Sequence, residues 1–275
     1  MSNAKFFLGF EIDKLMNGSI HVSQTAYARK ILHRYGFEDA NTVSTPADDQ
    51  KTLEKYETKQ HVKFPYREAV GSLLYLSIGT RPDITFSVAY VSRFLENPAE
   101  SHVKSVKRII KYVKGTVNYG ILYSSKIVNF LSFSAYSDAD FANEVESRKS
   151  TTGFCFMLNS GIINWCSERQ KSVALSTTES EYVAASQAAK EMVWLHRLLM
   201  DLDKSIVQQT PVFYMDNQSA LRLVKNPEYH KRTKHIDVRY HFIREKYSEN
   251  LFVLKEASTT NQLADKVCLK FEKKI

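Results

Sequence analysis

The alternation of apolar and polar residues near the start of the chain predicts a β-hairpin. Residues 5–13 and 19–22 show the period of two that is typical of strands. The Asn17-Gly18 step between them favours a tight hairpin turn, because both residues accept a positive φ. The chain is therefore expected to open with two antiparallel strands.

Apolar residues recur at helical spacing through most of the positions that follow. The predicted helices cover residues 25–35, 66–79 and, after a break at Thr80-Arg-Pro-Asp83, the stretch as far as residue 113. Gly36 and Gly115 would end two of these helices, and Pro82 suits a first helical position. Residues 40–60 are largely polar and are expected to form a connecting loop.

From residue 128 the pattern changes to short strands and one long helix. Strands are predicted at residues 130–137, 152–158, 162–166, 212–215 and 251–255, and helices at 178–202, 217–225, 238–247 and from 261 onward. This order of elements is typical of a mixed α/β domain. A boundary near residue 125 therefore separates an α-rich domain, residues 1–125, from an α/β domain, residues 126–275.

Composition is that of a soluble protein of the cell interior. The 275 residues are 43% apolar, which is enough for one large or two modest domains. The three cysteines form no Cys-x-x-Cys pair, so neither a disulfide framework nor a cysteine-ligated zinc site is expected. No apolar run approaches the roughly 18 residues of a membrane helix. The net charge of +8 raises the expectation of a polyanionic partner.

Four acidic residues stand where a predicted strand ends or a predicted helix begins. They are Asp138, Glu181, Asp216 and Asp265. If the strands that end at Asp138 and Asp216 are neighbours, these carboxylates converge, and acids from adjoining helices complete a cluster. Such a cluster could not stay fully ionised without cations, and Mg²⁺ or Mn²⁺ prefers hard oxygen ligands. Two such ions roughly 3.5–4 Å apart promote in-line displacement at a phosphodiester.

Three of these acids also have a purely structural interpretation at the end of an element. Asp138 could be a turn residue, with Asp140 as a competitor for the role in the cluster. Asp216 could cap the following helix, and Asp265 could be an ordinary acid in a first helical turn.

The fourth acid, Glu181, could complete a capping box begun by Thr178. A box formed by Ser176 with Glu179 is equally good and would leave Glu181 free. Spacing alone therefore leaves both the structural and the catalytic interpretation of the four acids open.

A set of sequence strings with one known family in common runs through nearly the whole chain. The strings are Phe7-Leu-Gly-Phe-Glu-Ile12, Val70-Gly-Ser-Leu-Leu-Tyr75, Thr80-Arg-Pro-Asp-Ile84, Lys107-Arg-Ile-Ile-Lys-Tyr-Val-Lys-Gly-Thr116, Tyr136-Ser-Asp-Ala-Asp-Phe-Ala142, Arg148-Lys-Ser-Thr-Thr-Gly153, Val173-Ala-Leu-Ser-Thr-Thr-Glu-Ser-Glu-Tyr182, Asp216-Asn-Gln-Ser-Ala220 and Lys234-His-Ile-Asp-Val-Arg-Tyr-His-Phe242. With these strings the chain resembles the C-terminal part of the Pol polyprotein of copia-type LTR retrotransposons. The resemblance runs from the end of the reverse transcriptase through the ribonuclease H domain.

The resemblance implies a fold for each domain. Residues 126–275 would form a ribonuclease H-like α/β domain, in which helices flank a five-stranded mixed sheet. Residues 1–125 resemble the α-rich thumb and connection of a reverse transcriptase, with a primer-grip-like hairpin at residues 5–22. The Tyr-x-Asp-Asp motif of the polymerase is not in this sequence, so polymerisation is not expected of it. The remainder of a Pol polyprotein is an expected partner. The expected location is the cytoplasm, in a virus-like particle, or the nucleus.

The resemblance also implies an activity, the endonucleolytic hydrolysis of the RNA strand of RNA:DNA hybrids with two Mg²⁺ ions, for which Mn²⁺ could substitute. The family's Asp, Glu, Asp, Asp pattern falls on the four acids named above, and Glu181 is preferred to Glu179 because Tyr182 and a run of small residues follow it. Asp138 and Asp216 would hold the metals, Glu181 would orient metal-bound water, and Asp265 would complete the shell of the second metal.

Two departures from the family pattern keep a second class of function open. The segment Lys255-Glu-Ala-Ser-Thr-Thr260 lacks the histidine that some ribonucleases H carry before the last acid, and Lys266-Val-Cys-Leu-Lys270 replaces the usual closing string. A truncated or host-retained copy would bind nucleic acid or protein without cleaving it.

Two basic clusters are candidates for contact with nucleic acid. One lies on a single helix face and consists of Lys104, Lys107, Arg108 and Lys111, and the other consists of Lys231, Arg232, Lys234 and Arg239. A solvated surface is the structural alternative for the first cluster. Histidines 230 and 235 flank the second cluster, but their spacing does not favour a zinc site.

Overall fold

The computed structural model describes residues 5–48, 53–58, 60–125, 132–142, 147–204, 209–226, 241–258 and 262–268 of the chain. These residues form two compact units, unit 1 within residues 1–125 and unit 2 within residues 126–268. Among them, no helix has the length and apolar character that crossing a lipid bilayer requires.

Unit 1 combines helices with a small antiparallel sheet. Its strands are β1 (Phe6–Phe7), β2 (Phe10–Lys14), β3 (Ile20–Ser23) and β4 (Gly120–Tyr123), in the sheet order β1-β2-β3-β4. Its helices are α1 (Thr25–Tyr35), α2 (Tyr66–Gly79), α3 (Thr85–Ser92) and α4 (Glu100–Gly115), with a 3-10 turn at Pro82–Ile84. The helices stand where helical spacing predicts them, and Gly36 ends α1 in the left-handed region, at a φ of 70°.

The sheet of unit 1 differs from the predicted hairpin in two respects. The first predicted strand is interrupted at Leu8 and Gly9, whose φ values of 48° and 86° turn β1 back onto β2. Strand β4 was not predicted from the sequence. It pairs with β3, for example with Ile20 opposite Tyr123. A four-residue strand carries too short a pattern to be identified before its distant partner is known.

A single cluster of apolar side chains from the four helices forms the core of unit 1. On α4, the side chains of Val103 and Val113 are fully buried, as the predicted apolar face requires. One charged side chain, that of Arg81, is buried nearby with only 1% of its surface exposed. Its Nε donates to Asp83 Oδ1 at 2.8 Å and its Nη2 to Asp83 Oδ2 at 2.7 Å, while Nη1 donates to the Thr116 carbonyl at 3.0 Å.

Unit 2 is an α/β layer structure. Its strands are β5 (Phe133–Asp140), β6 (Thr151–Leu158), β7 (Gly161–Arg169), β8 (Val212–Met215) and β9 (Val253–Glu256). Its helices are α5 (Thr177–Leu202), α6 (Gln218–Lys225), α7 (Phe242–Ser248) and α8 (Leu263–Cys268). The strands form one sheet in the order β7-β6-β5-β8-β9. The pairs β5/β6 and β6/β7 are antiparallel and the pairs β5/β8 and β8/β9 are parallel, so the predicted five-stranded mixed sheet is confirmed.

The long helix α5 packs the core of unit 2 against this sheet. Its inner face is lined with small residues, of which Ala185, Ala188 and Ala189 are fully buried, and Met192 is 1% exposed. Small side chains let the helix backbone approach the sheet closely, where Phe213 of β8 is fully buried. The close approach places the first turns of α5 beside the ends of the central strands β5 and β8.

Candidate metal centre

The two central strands of unit 2 bring two of the predicted acids to one edge of the sheet. Strands β5 and β8 run parallel, with Tyr136 opposite Tyr214, and the two rings stack at 4.8 Å between centroids. Asp138 and Asp216 each lie two residues beyond this pair. Because side chains alternate along a strand, a spacing of two keeps both acids on the face of the tyrosines.

The start of the long helix α5 decides between the two capping alternatives for Glu181. The hydroxyl Oγ of Ser176 accepts a hydrogen bond from the Glu179 backbone N–H at 3.2 Å. The Glu179 carboxylate accepts from the Leu175 backbone N–H at 2.8 Å. Glu179 is therefore engaged in helix capping, and Glu181 is left for the cluster.

Asp216 is not a helix cap either. The side chain of Asn217, one residue later, caps α6 by accepting a hydrogen bond from the Ala220 backbone N–H at 2.9 Å. The interpretation of Asp216 as the N-cap of α6 is therefore wrong, because Asn217 is the N-cap.

Asp138, Glu181 and Asp216 form a compact group of carboxylates. One oxygen from each lies within 4.8 Å of the other two. Asp138 and Glu181 are each only 5% exposed, and Asp216 is half-buried. Asp140, the competitor named in the sequence, ends β5 but is outside this group.

Burial and the neighbouring negative charges raise the pKa of two acids in this group, Glu181 and Asp216. Burial is the largest cause of the raised pKa of Glu181, followed by the negative charges of Asp138 and Asp216. The pKa of Asp216 is raised by burial and then by the charge of Asp138. Like charges at this distance in a partly dry site cannot all ionise at neutral pH without a compensating cation.

Two oxygens of the group have no hydrogen-bond partner among the residues that the structure describes. They are Glu181 Oε2 and Asp216 Oδ1, and both are buried. A buried polar atom without a partner costs free energy, roughly 1–3 kcal/mol or more for a charged group. Carboxylate oxygens without a donor are hard ligands of the kind that Mg²⁺ and Mn²⁺ prefer, so the residues present fit a divalent metal.

Asp265 lies beside this group of three acids but is not one of its members. It sits on α8, and a hydrogen bond links its side chain with that of Asp138. Burial and the charges of Asp138 and Asp216 raise its pKa. The structure therefore brings all four predicted acids together, three with one oxygen each within 4.8 Å of the others and the fourth beside Asp138.

Two buried glutamines hold the acids in place, and neither role was predicted from the sequence. Gln262 is 1% exposed, and its Nε2 donates to the carbonyl of Ser137 at 2.9 Å, which fastens the start of α8 to β5 beside Asp138. Gln170 is also 1% exposed and donates to Thr152 Oγ1 at 3.1 Å and to the Ser180 carbonyl at 2.9 Å. A glutamine is mostly exposed in proteins, so its residue type alone predicts neither position.

The predicted basic residues fall in two different situations. Lys104, Lys107, Arg108 and Lys111 all line one cavity on the surface of unit 1. Lys231, Arg232, Lys234 and Arg239 lie outside the described residues.

Sequence comparison finds long transposon-encoded relatives. The chain is 44% identical over 253 residues to the retrovirus-related Pol polyprotein from transposon TNT 1-94 of Nicotiana tabacum, a match covering 89% of this chain and 18% of the relative. It is 40% identical over 261 residues to the retrovirus-related Pol polyprotein from transposon RE1 of Arabidopsis thaliana, covering 94% of this chain and 18% of the relative. The chain thus spans less than a fifth of the length of these relatives. No protein-family model matches it.

Structure comparison finds a solved ribonuclease H. LC11-RNase H1, crystallised in complex with an RNA/DNA hybrid, aligns with 50% of this chain and 93% of its own length. The TM-score is 0.34 and the sequence identity is 13%.

Proposed function

This chain belongs to the retrovirus-related Pol polyproteins of transposons, and from that membership we propose that unit 2 is a metal-dependent ribonuclease H that cleaves the RNA strand of RNA:DNA hybrids. The observation that carries the proposal is the buried group of Asp138, Glu181 and Asp216, with one oxygen of each within 4.8 Å of the others. Neutral side chains would pack at such a position without cost, whereas three acids need a cation.

In this proposal the four acids divide the work of holding the metals. Asp138 and Asp216, from neighbouring parallel strands, would hold the metal ions, and Asp265 would complete the shell of the second ion. Two Mg²⁺ ions, with Mn²⁺ as a substitute, would activate water and stabilise the leaving oxygen of the phosphodiester. Glu181 would orient the attacking water from the first turns of α5. The products would carry 3′-hydroxyl and 5′-phosphate ends.

The proposed substrate is the hybrid, not duplex DNA. A hybrid is distinguished by the 2′-hydroxyls of its RNA strand and by the shape of its groove, which need no contact with base edges. The basic face of α4 is proposed to contact phosphates, since such contacts add affinity without sequence preference. The remainder of a Pol polyprotein would be a partner wherever this chain is part of one.

A cleavage assay tests the proposal. The full chain would be incubated with Mg²⁺ and an RNA:DNA hybrid labelled on the RNA strand, beside the variants Asp138→Asn and Asp216→Asn. The unmodified chain is expected to cut the RNA strand, and each variant is expected to lose about 100-fold or more of the rate, because one metal ligand loses its charge.

Asp140→Asn is the matched control, because it makes the same change in the same strand outside the acid group. It is expected to retain activity within about threefold, because Asp140 contributes no oxygen to the group of Asp138, Glu181 and Asp216. Binding of the hybrid without cleavage by the unmodified chain, or equal cleavage by all four proteins, would overturn the proposal. Binding without cleavage would instead support a non-catalytic nucleic-acid-binding module.

A further inference from the structure

A cavity of about 550 Å³ opens on unit 1 between α4, the C-terminal end of α1 and the segments that flank residue 43 and residue 64. Its apolar lining consists of Tyr35, Phe37, Val43 and Phe64, and its charged lining consists of the four basic residues of α4. Among the residues that the structure describes, no acidic side chain lines it. The cavity therefore combines aromatic walls with positive charge alone.

The aromatic walls are held in place from behind. Tyr35, Phe37 and Phe64 pack against the core of unit 1 and remain partly exposed. The rings of Tyr35 and Phe64 are 5.8 Å apart between centroids and tilted by 45°. The Tyr35 hydroxyl shares a hydrogen bond of 3.3 Å with Ser72 Oγ. These rings form a fixed apolar surface on which a flat ligand can stack without ordering the walls first.

The four cations are not equivalent. Arg108 donates from Nε to the Ala47 carbonyl at 2.9 Å and from Nη2 to Thr45 Oγ1 at 2.8 Å, so it fastens the segment that follows Val43 of the cavity lining. Lys107 Nζ lies 5.3 Å from the centroid of the Phe64 ring. Among the described residues, neither Lys104 nor Lys111 forms an ion pair with an acid. These two lysines are the cations best placed to bind an anion from outside.

We propose that this cavity takes one unpaired nucleotide of a single strand, with the base against the Tyr35 and Phe64 rings and the phosphate bound by Lys104 and Lys111. Cavities of roughly 300–1,000 Å³ hold ligands of this size. Stacking on aromatic side chains combined with a basic groove is the general means by which proteins hold single strands. A base inside a duplex is stacked on its neighbours and could not enter. The inference rests on the nucleic-acid-binding part of the proposed function and does not depend on cleavage.

The test compares adenosine 5′-monophosphate with ribose 5-phosphate, which carries the same phosphate and sugar without a base. Both would be titrated into the full chain by isothermal titration calorimetry, without divalent metal and without hybrid, so failure of cleavage cannot affect the result. The base is expected to increase affinity by about 5-fold or more, the usual contribution of one stacked base. A short oligodeoxyadenylate is expected to bind more tightly than the monophosphate and to compete with it, because it supplies further phosphates.

Three variants separate stacking from charge. Phe64→Leu keeps an apolar wall and is expected to lower the affinity for adenosine monophosphate while leaving the affinity for ribose 5-phosphate unchanged. Lys111→Ala is expected to weaken both ligands alike, by about 5-fold. Lys30→Ala, an exposed lysine of α1 outside the cavity lining, is expected to change neither. A far-ultraviolet circular dichroism spectrum of each variant would show that it folds.

Equal affinity of the unmodified chain for the two phosphates would overturn the proposal, and this comparison requires no variant. A base-dependent affinity that is undiminished in folded Phe64→Leu would also overturn it. If the oligonucleotide bound through the lysines but neither the base nor Phe64 affected affinity, the stacking proposal would be overturned. Only the phosphate contacts of the proposed function would then remain.

Discussion

The two units of this chain bury charge in opposite ways. In unit 1, Arg81 and Asp83 neutralise one another through two hydrogen bonds of 2.7 and 2.8 Å, and the Tyr112 hydroxyl adds a third contact to Asp83 at 3.0 Å. In unit 2, the group of Asp138, Glu181 and half-buried Asp216 consists, among the residues described, of carboxylates alone. A complete pair of opposite charges is expensive to break, whereas a group of like charges destabilises its own fold until a further ligand compensates it. The Arg81–Asp83 pair therefore stabilises the fold of unit 1. The three acids of unit 2 lower the stability of their own fold, which is expected of residues that serve a catalytic or binding function.

The largest effect on stability is expected from breaking the ion pair of Arg81 and Asp83. Arg81→Met would leave Asp83 buried without its partner, which typically lowers the free energy of unfolding by 3–5 kcal/mol. Hydrogen–deuterium exchange of peptides from α2 and α4 would report the change within unit 1, since both tryptophan residues, Trp165 and Trp194, belong to unit 2. Arg29→Met, at an exposed position of α1, is the control. Unchanged exchange in the Arg81 variant would show that the pair contributes little.

The second effect is a pH dependence of unit 2 in the absence of divalent metal. Glu181 and Asp265 have raised pKa values in the folded chain, because of burial and the neighbouring negative charges. They bind protons more tightly when folded, so the stability they contribute is complete below pH ~4 and is lost as the pH rises through their folded pKa values. Tryptophan-monitored urea unfolding should show a fall of about 1–3 kcal/mol between pH 5 and pH 8.

Mg²⁺ provides the control for this pH dependence. A bound cation favours the ionised acids, so saturating Mg²⁺ is expected to reduce the fall or reverse it. A metal-free stability that rises between pH 5 and pH 8 would contradict the raised pKa values.

A smaller effect removes one like charge. Glu181→Gln is expected to raise the metal-free stability of unit 2 at pH 8 by about 1–2 kcal/mol, because the amide cannot repel Asp138 and Asp216. The same substitution should abolish cleavage. Glu179→Gln, two residues away in the same helix, should change neither quantity, since an amide oxygen can still accept from the Leu175 N–H. If both variants gained stability equally, the gain would reflect the net charge of α5 and not the acid group.

The smallest effect concerns the cap that leaves Glu181 free. Ser176→Ala removes the hydroxyl that accepts from the Glu179 N–H and should cost about 1 kcal/mol of stability in unit 2. Cleavage should remain within about threefold, because the cap supports the helix and contacts no metal. A loss of activity far beyond the loss of stability would indicate that the cap also positions Glu181.

Elements marked by residues within their own segment were predicted correctly, whereas features that depend on distant residues were not. The helices α1 and α2 and the strand β8 have the predicted bounds, since turn residues and apolar spacing mark them within their own segments. Strand β4 depends on pairing with β3 across most of unit 1, and no local pattern marks it. The burial of Arg81 could not be predicted from the sequence either. Arginine is almost always exposed unless it is paired with an acid, as Arg81 is with Asp83.

The candidate site shows the same division. The position of Asp216 directly after β8 was predicted, whereas Asp138 lies two residues before the end of β5 and does not end the strand as predicted. The convergence of the two acids required only that β5 and β8 be neighbours. The resemblance to a known family selected Glu181 over Glu179, and the capping contacts of Ser176 give the physical reason. The supporting bond from Gln262 to Ser137 joins residues far apart in the chain, so it could not be predicted.

The central claim is that Asp138, Glu181 and Asp216 hold divalent metal, and Mn²⁺ binding to the full chain tests it most directly. Electron paramagnetic resonance of free Mn²⁺ would be recorded while the unmodified chain, Asp138→Asn, Asp216→Asn or Glu179→Gln is added. The unmodified chain and Glu179→Gln should remove Mn²⁺ from solution with the same affinity. The two aspartate variants should bind at least about 10-fold more weakly. Equal binding by all four proteins, or none by the unmodified chain, would contradict the claim.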